Sequence, residues 1–179
     1  MIRRYLADYI EPKEGVPRFL LNDVLRYWRT LAIDYQAKLW GQPQPEWGLR
    51  YLKLIISRKL MIAGTLASLF LCERATEDYF VEQFQMPALA RLAQVRSVAD
   101  APQRDAVASA LVIASEFVEA LKDEDFRDEA KAVRTRNDID PGSRFGAMQQ
   151  SARVLQQNLE TIFFDTPALS TKSRKYLSF

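Results

Sequence analysis

The chain has 179 residues, 48% of them hydrophobic, which is enough for one folded domain with a substantial core. Its net charge of +2 hides basic ends and an acidic middle: residues 1–60 hold 11 Lys or Arg against 6 Asp or Glu, and residues 61–140 hold 9 against 15. This distribution favours a localised anionic partner over a uniformly basic nucleic-acid-binding surface. The absence of histidine and the single cysteine, Cys72, exclude Ser/His and Cys/His catalysis, histidine-ligated metals, an intramolecular disulfide and a structural zinc site.

Apolar residues recur with a helical period in almost every long segment, so the sequence predicts an all-α fold. We expect residues 1–179 to form a single-domain helical bundle of about six to seven helices. The predicted helices are Arg18 to Trp40, Trp47 to Arg74, Thr76 to Gln85, Ala88 to Val95, Gln103 to Lys122, Asp123 to Arg136, and one from the N-cap Ser143 to Thr166. A short helix or arm is expected before Glu11, and Thr166-Pro167 is expected to end the last helix ahead of a basic, aromatic tail.

The apolar run Leu60 to Cys72 predicts a buried central helix. It is 13 residues long, whereas a membrane-spanning helix needs about 20. We expect no secretory signal at the start of the chain, because charged residues interrupt its first ten positions. We therefore expect no membrane partner and a location in the reducing cytoplasm. Gly64 in this run would let another helix approach closely.

Polar side chains form stripes on the first two long predicted helices. Asn22, Arg26 and Arg29 share one row at helical spacing, and Asp23 and Asp34 share the row beside it. A loop with two prolines, Pro43 and Pro45, is expected to place the two helices antiparallel. The residues expected to line a polar groove between them are Asn22, Asp23, Arg26, Arg29, Asp34, Arg50, Lys53 and Arg58. Such a groove suits a phosphate-bearing or carboxylate-bearing ligand, since guanidinium groups supply forked, permanently charged donors.

The same charges also fit an ordinary solvated surface. Pairs at i,i+4 such as Asp34 and Lys38 stabilise a helix by only about 0.2 to 0.5 kcal/mol each. On this alternative, the polar stripes pair internally, and the chain is a protein-interaction or oligomerisation bundle that forms homo-oligomers.

Two Asp-x-Asp pairs, Asp123 with Asp125 and Asp138 with Asp140, could in principle hold Mg²⁺. Neither has the setting that such chemistry needs, and an EF-hand interpretation fails because Gln149 stands where the loop requires a bidentate glutamate. No Walker loop, dinucleotide-binding glycine pattern or nucleophile elbow occurs. The sequence therefore predicts no catalytic residue, no metal ligand and no cofactor. A histidine-free RNase or toxin-like enzyme would need an acid and a base that no motif provides.

Several short segments together carry a family resemblance. They are Arg18 to Thr30 followed by Asp34, Trp47 to Leu54, Ser57 to Lys59, and Ser173 to Tyr176. They resemble the helical C-terminal (accessory) region of bacterial proteins with a DNA polymerase β-like nucleotidyltransferase domain. The resemblance implies an all-helical domain that follows a catalytic domain, whose Gly-Ser turn and Asp-x-Asp metal ligands have no counterpart before Leu20 here. It implies a non-catalytic module that binds a nucleotide, a phosphate-bearing acceptor or a nucleotidyltransferase-type catalytic domain.

Overall fold

The computed structural model describes Leu6 and residues 15–40 and 46–177, except for the side chains at positions 39 and 40. Within these ranges the chain forms eight helices and no strand. They are α1 (Arg18–Trp40), α2 (Trp47–Leu71), α3 (Glu77–Gln85), α4 (Ala88–Ala93), α5 (Ala101–Lys122), α6 (Glu124–Ala132), α7 (Arg144–Glu160) and α8 (Pro167–Leu177). The predicted all-α bundle is confirmed. The expected N-terminal helix or arm, and the loop with Pro43 and Pro45, lie outside the described residues.

Helix α2 runs through the middle of the bundle and contacts α1, α4 and α8. By length and composition alone it could cross a membrane, but 56% of its most apolar stretch is buried by the protein itself, as expected for a core helix. A π-helical turn, Leu54–Arg58, interrupts its α-helical hydrogen bonding, and a second π-helical turn, Thr161–Asp165, follows α7. Each such turn holds about one residue more than an α-helical turn, so it changes which side chains share a face.

Small residues decide how closely the helices pack on α2. A Cβ atom built on Gly64 would lie 2.1 Å from the main-chain oxygen of Ala88 in α4, so the predicted close approach at Gly64 is confirmed. A Cβ atom on Gly48 would lie 2.5 Å from the main-chain oxygen of Ala130 in α6. The main chains themselves therefore meet at both places, which leaves no room for a side chain.

Capping side chains set several helix boundaries. The hydroxyl of Ser143 accepts a hydrogen bond from the Gly146 amide, which confirms this residue as the predicted N-cap of α7. The prediction that one helix continues to Arg136 is wrong, because α6 ends at Ala132. The carboxylate of Asp138 accepts hydrogen bonds from the amides of Arg134 and Thr135 and holds a separate 3₁₀ turn there.

Helix α8 replaces the predicted tail. Pro167 does end the preceding π-helical turn, but it also begins a new helix, since proline at the first helical position loses no hydrogen bond. The side chains of Leu169 and Ser173 are fully buried, so tertiary contacts rather than a strong sequence pattern stabilise this helix.

Candidate functional site

Helices α1 and α2 run antiparallel, as predicted. Leu25 of α1 and Ile62 of α2 line the same cavity, while Asp34, further along α1, interacts with Arg50 near the start of α2. The start of α2 is fixed on the end of α6, because the Gly48 amide donates a hydrogen bond of 3.0 Å to the Val133 carbonyl oxygen. This contact brings the turn after α6 beside the first turns of α2.

Asp34 marks the place where the charged residues of the two helices meet. Its carboxylate accepts a hydrogen bond of 2.7 Å from Lys38, and this bond is the main reason that the pKa of Asp34 lies below its usual value. The positive charges of Arg58 and Arg50 lower this pKa further, so both guanidinium groups of the neighbouring helix act on Asp34 electrostatically. The charges of the two predicted stripes therefore interact at Asp34.

The π-helical turn in α2 explains how Arg50 and Arg58 act on one carboxylate. Eight residues apart in a regular α-helix, they would point about 80° away from each other. One extra residue in the turn between them reduces this angle to about 20°. The carboxylate of Glu46, four residues before Arg50, is 3.9 Å from its guanidinium group, which is too long for a hydrogen bond. Two partly buried guanidinium groups therefore share one face of α2.

Tyrosine side chains and a third arginine lie next to these residues. Burial of Tyr35, together with the nearby Tyr51, raises the pKa of the Tyr35 phenol to about 12, and the charge of Arg136 lowers it in part. Arg136 belongs to the turn after α6. We call Arg50, Arg58 and Arg136, together with Asp34 and Tyr35, the basic cluster. The sequence analysis did not predict Arg136 here, because no local pattern relates residues about 100 positions apart.

The remaining predicted site residues lie elsewhere on α1 and α2. Asn22, Arg26 and Arg29 are exposed on the outward side of α1, and Arg26 approaches Asp23 of its own helix at 3.7 Å. Arg29 is five residues, or about 7.5 Å of helix, away from Asp34. Lys53 is also exposed. The structure thus brings together Asp34, Arg50 and Arg58 of the predicted set. Asp23 shares the face of Asp34 but lies about three helical turns before it, and Asn22, Arg26 and Arg29 lie on another face of α1.

The ion pairs found on α1 and α2 are local. Asp23 with Arg26, Asp34 with Lys38, and Glu46 with Arg50 each join residues three or four apart on the same helix or its cap. All of these side chains are at least 32% exposed, so solvent screens each pair and each adds little to the stability of the fold. These pairs do not form a buried network between the helices.

Three of the four aspartates of the two Asp-x-Asp motifs have structural partners. Asp123 caps α6 and pairs with Arg144 at 2.6 Å, Asp138 holds the 3₁₀ turn, and Asp140 accepts a hydrogen bond from the Gly142 amide. Across residues 15–40 and 46–177, no three His, Cys, Asp or Glu side chains come together in a way that could hold a metal ion.

The fold and the site together define an all-α bundle with a basic and aromatic cluster between its first two long helices. Comparison of the chain with protein-family models, with curated proteins and with solved structures finds no match. The geometry of the basic cluster is therefore the basis for assigning a function.

Proposed function

We propose that this chain is a non-catalytic helical module that binds a phosphate-bearing ligand, such as a nucleotide, at the basic cluster. The observation that carries this proposal is the alignment of Arg50 and Arg58 on one face of α2 by the π-helical turn between them. π-Helical turns inside α-helices occur frequently at functional sites. Guanidinium groups pair with phosphate oxygens through two parallel hydrogen bonds, and Tyr35 and Tyr51 offer aromatic surface beside them.

The similarity to the accessory region of nucleotidyltransferase-domain proteins gives this binding a role. We propose that the module holds a nucleotide or a phosphate-bearing acceptor for a nucleotidyltransferase-type catalytic domain in the cytoplasm. With Mg²⁺ and a nucleoside triphosphate alone, the isolated chain should transfer no nucleotide. Turnover abolished by a single aspartate substitution in this chain would contradict a non-catalytic role.

The test is calorimetric titration with pyrophosphate and with ATP. Arg50→Gln and Arg58→Gln should each weaken binding about tenfold or more, which is the effect of losing a charged hydrogen bond of about 1.5 to 3 kcal/mol. Arg26→Gln is the matched control, because its side chain is 71% exposed on the outward side of α1. It should bind within about twofold of the unmodified protein. Absence of binding, or an equal loss in Arg26→Gln, would refute the proposal.

Melting curves separate a ligand site from a structural ion-pair network. Arg50 and Arg58 are only partly buried, so either substitution should leave the free energy of unfolding nearly unchanged. If they instead belonged to a buried network, each substitution would destabilise the protein by about 3 to 5 kcal/mol. Asp34→Asn removes the carboxylate that competes with an anion, and it should tighten pyrophosphate binding.

A second candidate function is a protein-interaction or oligomerisation bundle. It is favoured by two apolar side chains on the outer surface of α1, Phe19 and Ile33, which are 59% and 68% exposed. Fourteen residues apart, they fall within about 40° of each other around the helix. If this face joins two copies of the chain, Phe19→Ser with Ile33→Ser should convert a dimer into a monomer in sedimentation analysis. A monomeric unmodified protein would exclude this self-association.

A further inference from the structure

A cavity of about 270 Å³ lies beneath α1, away from the basic cluster. Its walls are mostly apolar and come from α1, α2, the end of α7 with its π-helical turn, and α8; they include Trp28, Ile62, Leu66 and Phe163. An apolar protein cavity of about 150 Å³ holds one benzene molecule. In proportion, this cavity has room for an apolar body of about ten carbon atoms.

One end of the cavity is polar. Lys59 Nζ donates a hydrogen bond of 2.8 Å to Gln156 Oε1, and Gln156 Nε2 donates one of 2.7 Å to Glu160 Oε1. Gln156 and Glu160 are exposed, so these three side chains lie where the cavity meets solvent. Lys59 is only partly exposed, and burial lowers its pKa, while the charge of Glu160 opposes this effect.

The hydrogen-bond partner of Lys59 is a neutral amide and not a carboxylate. An ammonium group has three donors, and the hydrogen bond to Gln156 engages one of them. A partly desolvated charge beside an apolar wall attracts an anion more strongly than the same charge in water. A second cavity of about 150 Å³ lies between α2, α4 and α5. It has no charged side chain in its lining, so it offers no such attraction to an anion.

We infer that the cavity beneath α1 binds an amphipathic organic acid, with its carboxylate on Lys59 and an apolar body of about ten carbons against Trp28 and Phe163. This site is separate from the basic cluster and takes a different class of ligand. Lys59 follows Arg58 directly, so the two point about 100° apart on α2. Arg58 faces Asp34, and Lys59 faces the end of α7.

Sodium decanoate is the probe, and decanol is its uncharged counterpart. Decanoate should bind saturably in calorimetry and change the fluorescence of Trp28. Lys59→Met keeps most of the length of the side chain and removes its charge. It should weaken decanoate binding about tenfold or more while leaving decanol binding within about twofold. Lys122→Met, an exposed lysine of α5, is the matched control and should bind both compounds like the unmodified protein.

Filling the cavity gives an independent test. Ala63 lines the cavity and is buried, so the larger side chain in Ala63→Leu should prevent binding of both compounds. Circular dichroism verifies that this variant is folded. The inference would be overturned if decanoate does not bind, if Lys59→Met binds it as tightly as the unmodified protein, or if folded Ala63→Leu still binds it. A concentration-dependent dimer that Ala63→Leu disrupts, without decanoate binding, would show that a second copy of the chain covers the cavity instead.

Discussion

The side chain of Lys172 in α8 reaches the carboxyl end of α2, where its Nζ donates a hydrogen bond of 3.2 Å to the main-chain oxygen of Cys72. The same nitrogen also donates to the main-chain oxygen of Phe70. The last carbonyl groups of a helix have no partner within that helix. Lys172 therefore completes the C-terminus of α2 and fixes α8 against it.

Replacing Lys172 should destabilise the protein. Lys172→Met keeps the aliphatic stem but leaves two largely buried carbonyl groups without this donor, so we expect a loss of about 1.5 to 3 kcal/mol in the free energy of unfolding. Denaturant titration measures this loss. Lys175→Met is the control on the same helix; its lysine is exposed, and its loss should stay within about 0.5 kcal/mol. Equal effects of the two substitutions would contradict the capping role.

Gly64→Ala adds only one methyl group but should be strongly destabilising. The new methyl group would lie 2.1 Å from the Ala88 main-chain oxygen, so α4 must move away from α2 at a cost of about 1 to 3 kcal/mol. Gly142→Ala is the control, because its nearest neighbour is a side-chain oxygen of Asp140 at 3.4 Å. Thermal unfolding of both variants measures the difference, and a melting temperature of Gly64→Ala equal to that of Gly142→Ala would show that the contact is not tight.

Cys72 should react slowly with a thiol reagent in the folded protein. Its side chain is fully buried, and burial raises the pKa of the thiol to about 11, although the charge of Lys172 opposes this shift. Both effects reduce the amount of accessible thiolate near pH 8. Absorbance should show a slow reaction in buffer and a fast one in concentrated guanidinium chloride. Equal rates in the two solutions would mean that the end of α2 is open.

Asp123 should make stability depend on pH in the acid range. The hydrogen bond from Arg144 lowers the pKa of Asp123 below its ordinary value of 3.8, and the Phe126 amide lowers it further. A carboxylate with a lowered folded-state pKa contributes stability above its unfolded pKa, and that contribution is lost as the pH falls through the folded value.

The measurement for this prediction is the melting temperature between pH 7 and pH 2, about the range over which carboxylates titrate. Asp123→Asn should lower the melting temperature at pH 7. It should also make the melting temperature fall less steeply below about pH 4. Asp125→Asn replaces an exposed carboxylate two residues away and serves as the control. If the curve of Asp123→Asn keeps the unmodified slope, Asp123 does not contribute to acid sensitivity.

Local patterns predicted most of the helices because the forces that form them act within a few residues. The apolar run around Gly64 indicated a central helix. Ser143 indicated the start of α7, because its hydroxyl can accept a hydrogen bond from the amide three residues later and so cap the helix. The same reasoning does not predict α8, because Pro167 both ends one helix and begins the next. It also extended α6 to Arg136, because the pattern does not show that Asp138 binds the backbone of that segment.

The sequence by itself determined the helical class, the absence of histidine chemistry, the central place of α2 and the charged character of α1 and α2. Only the tertiary structure decided which of those charges meet. The π-helical turn at Leu54–Arg58 brings Arg50 and Arg58 toward one face of α2, an alignment that the regular period of 3.6 residues does not give. The position of Arg136 beside Tyr35, and of Lys59 at the mouth of a cavity, likewise depends on contacts between distant segments. Such contacts depend on the complementary shapes of packed helices, which no local spacing encodes.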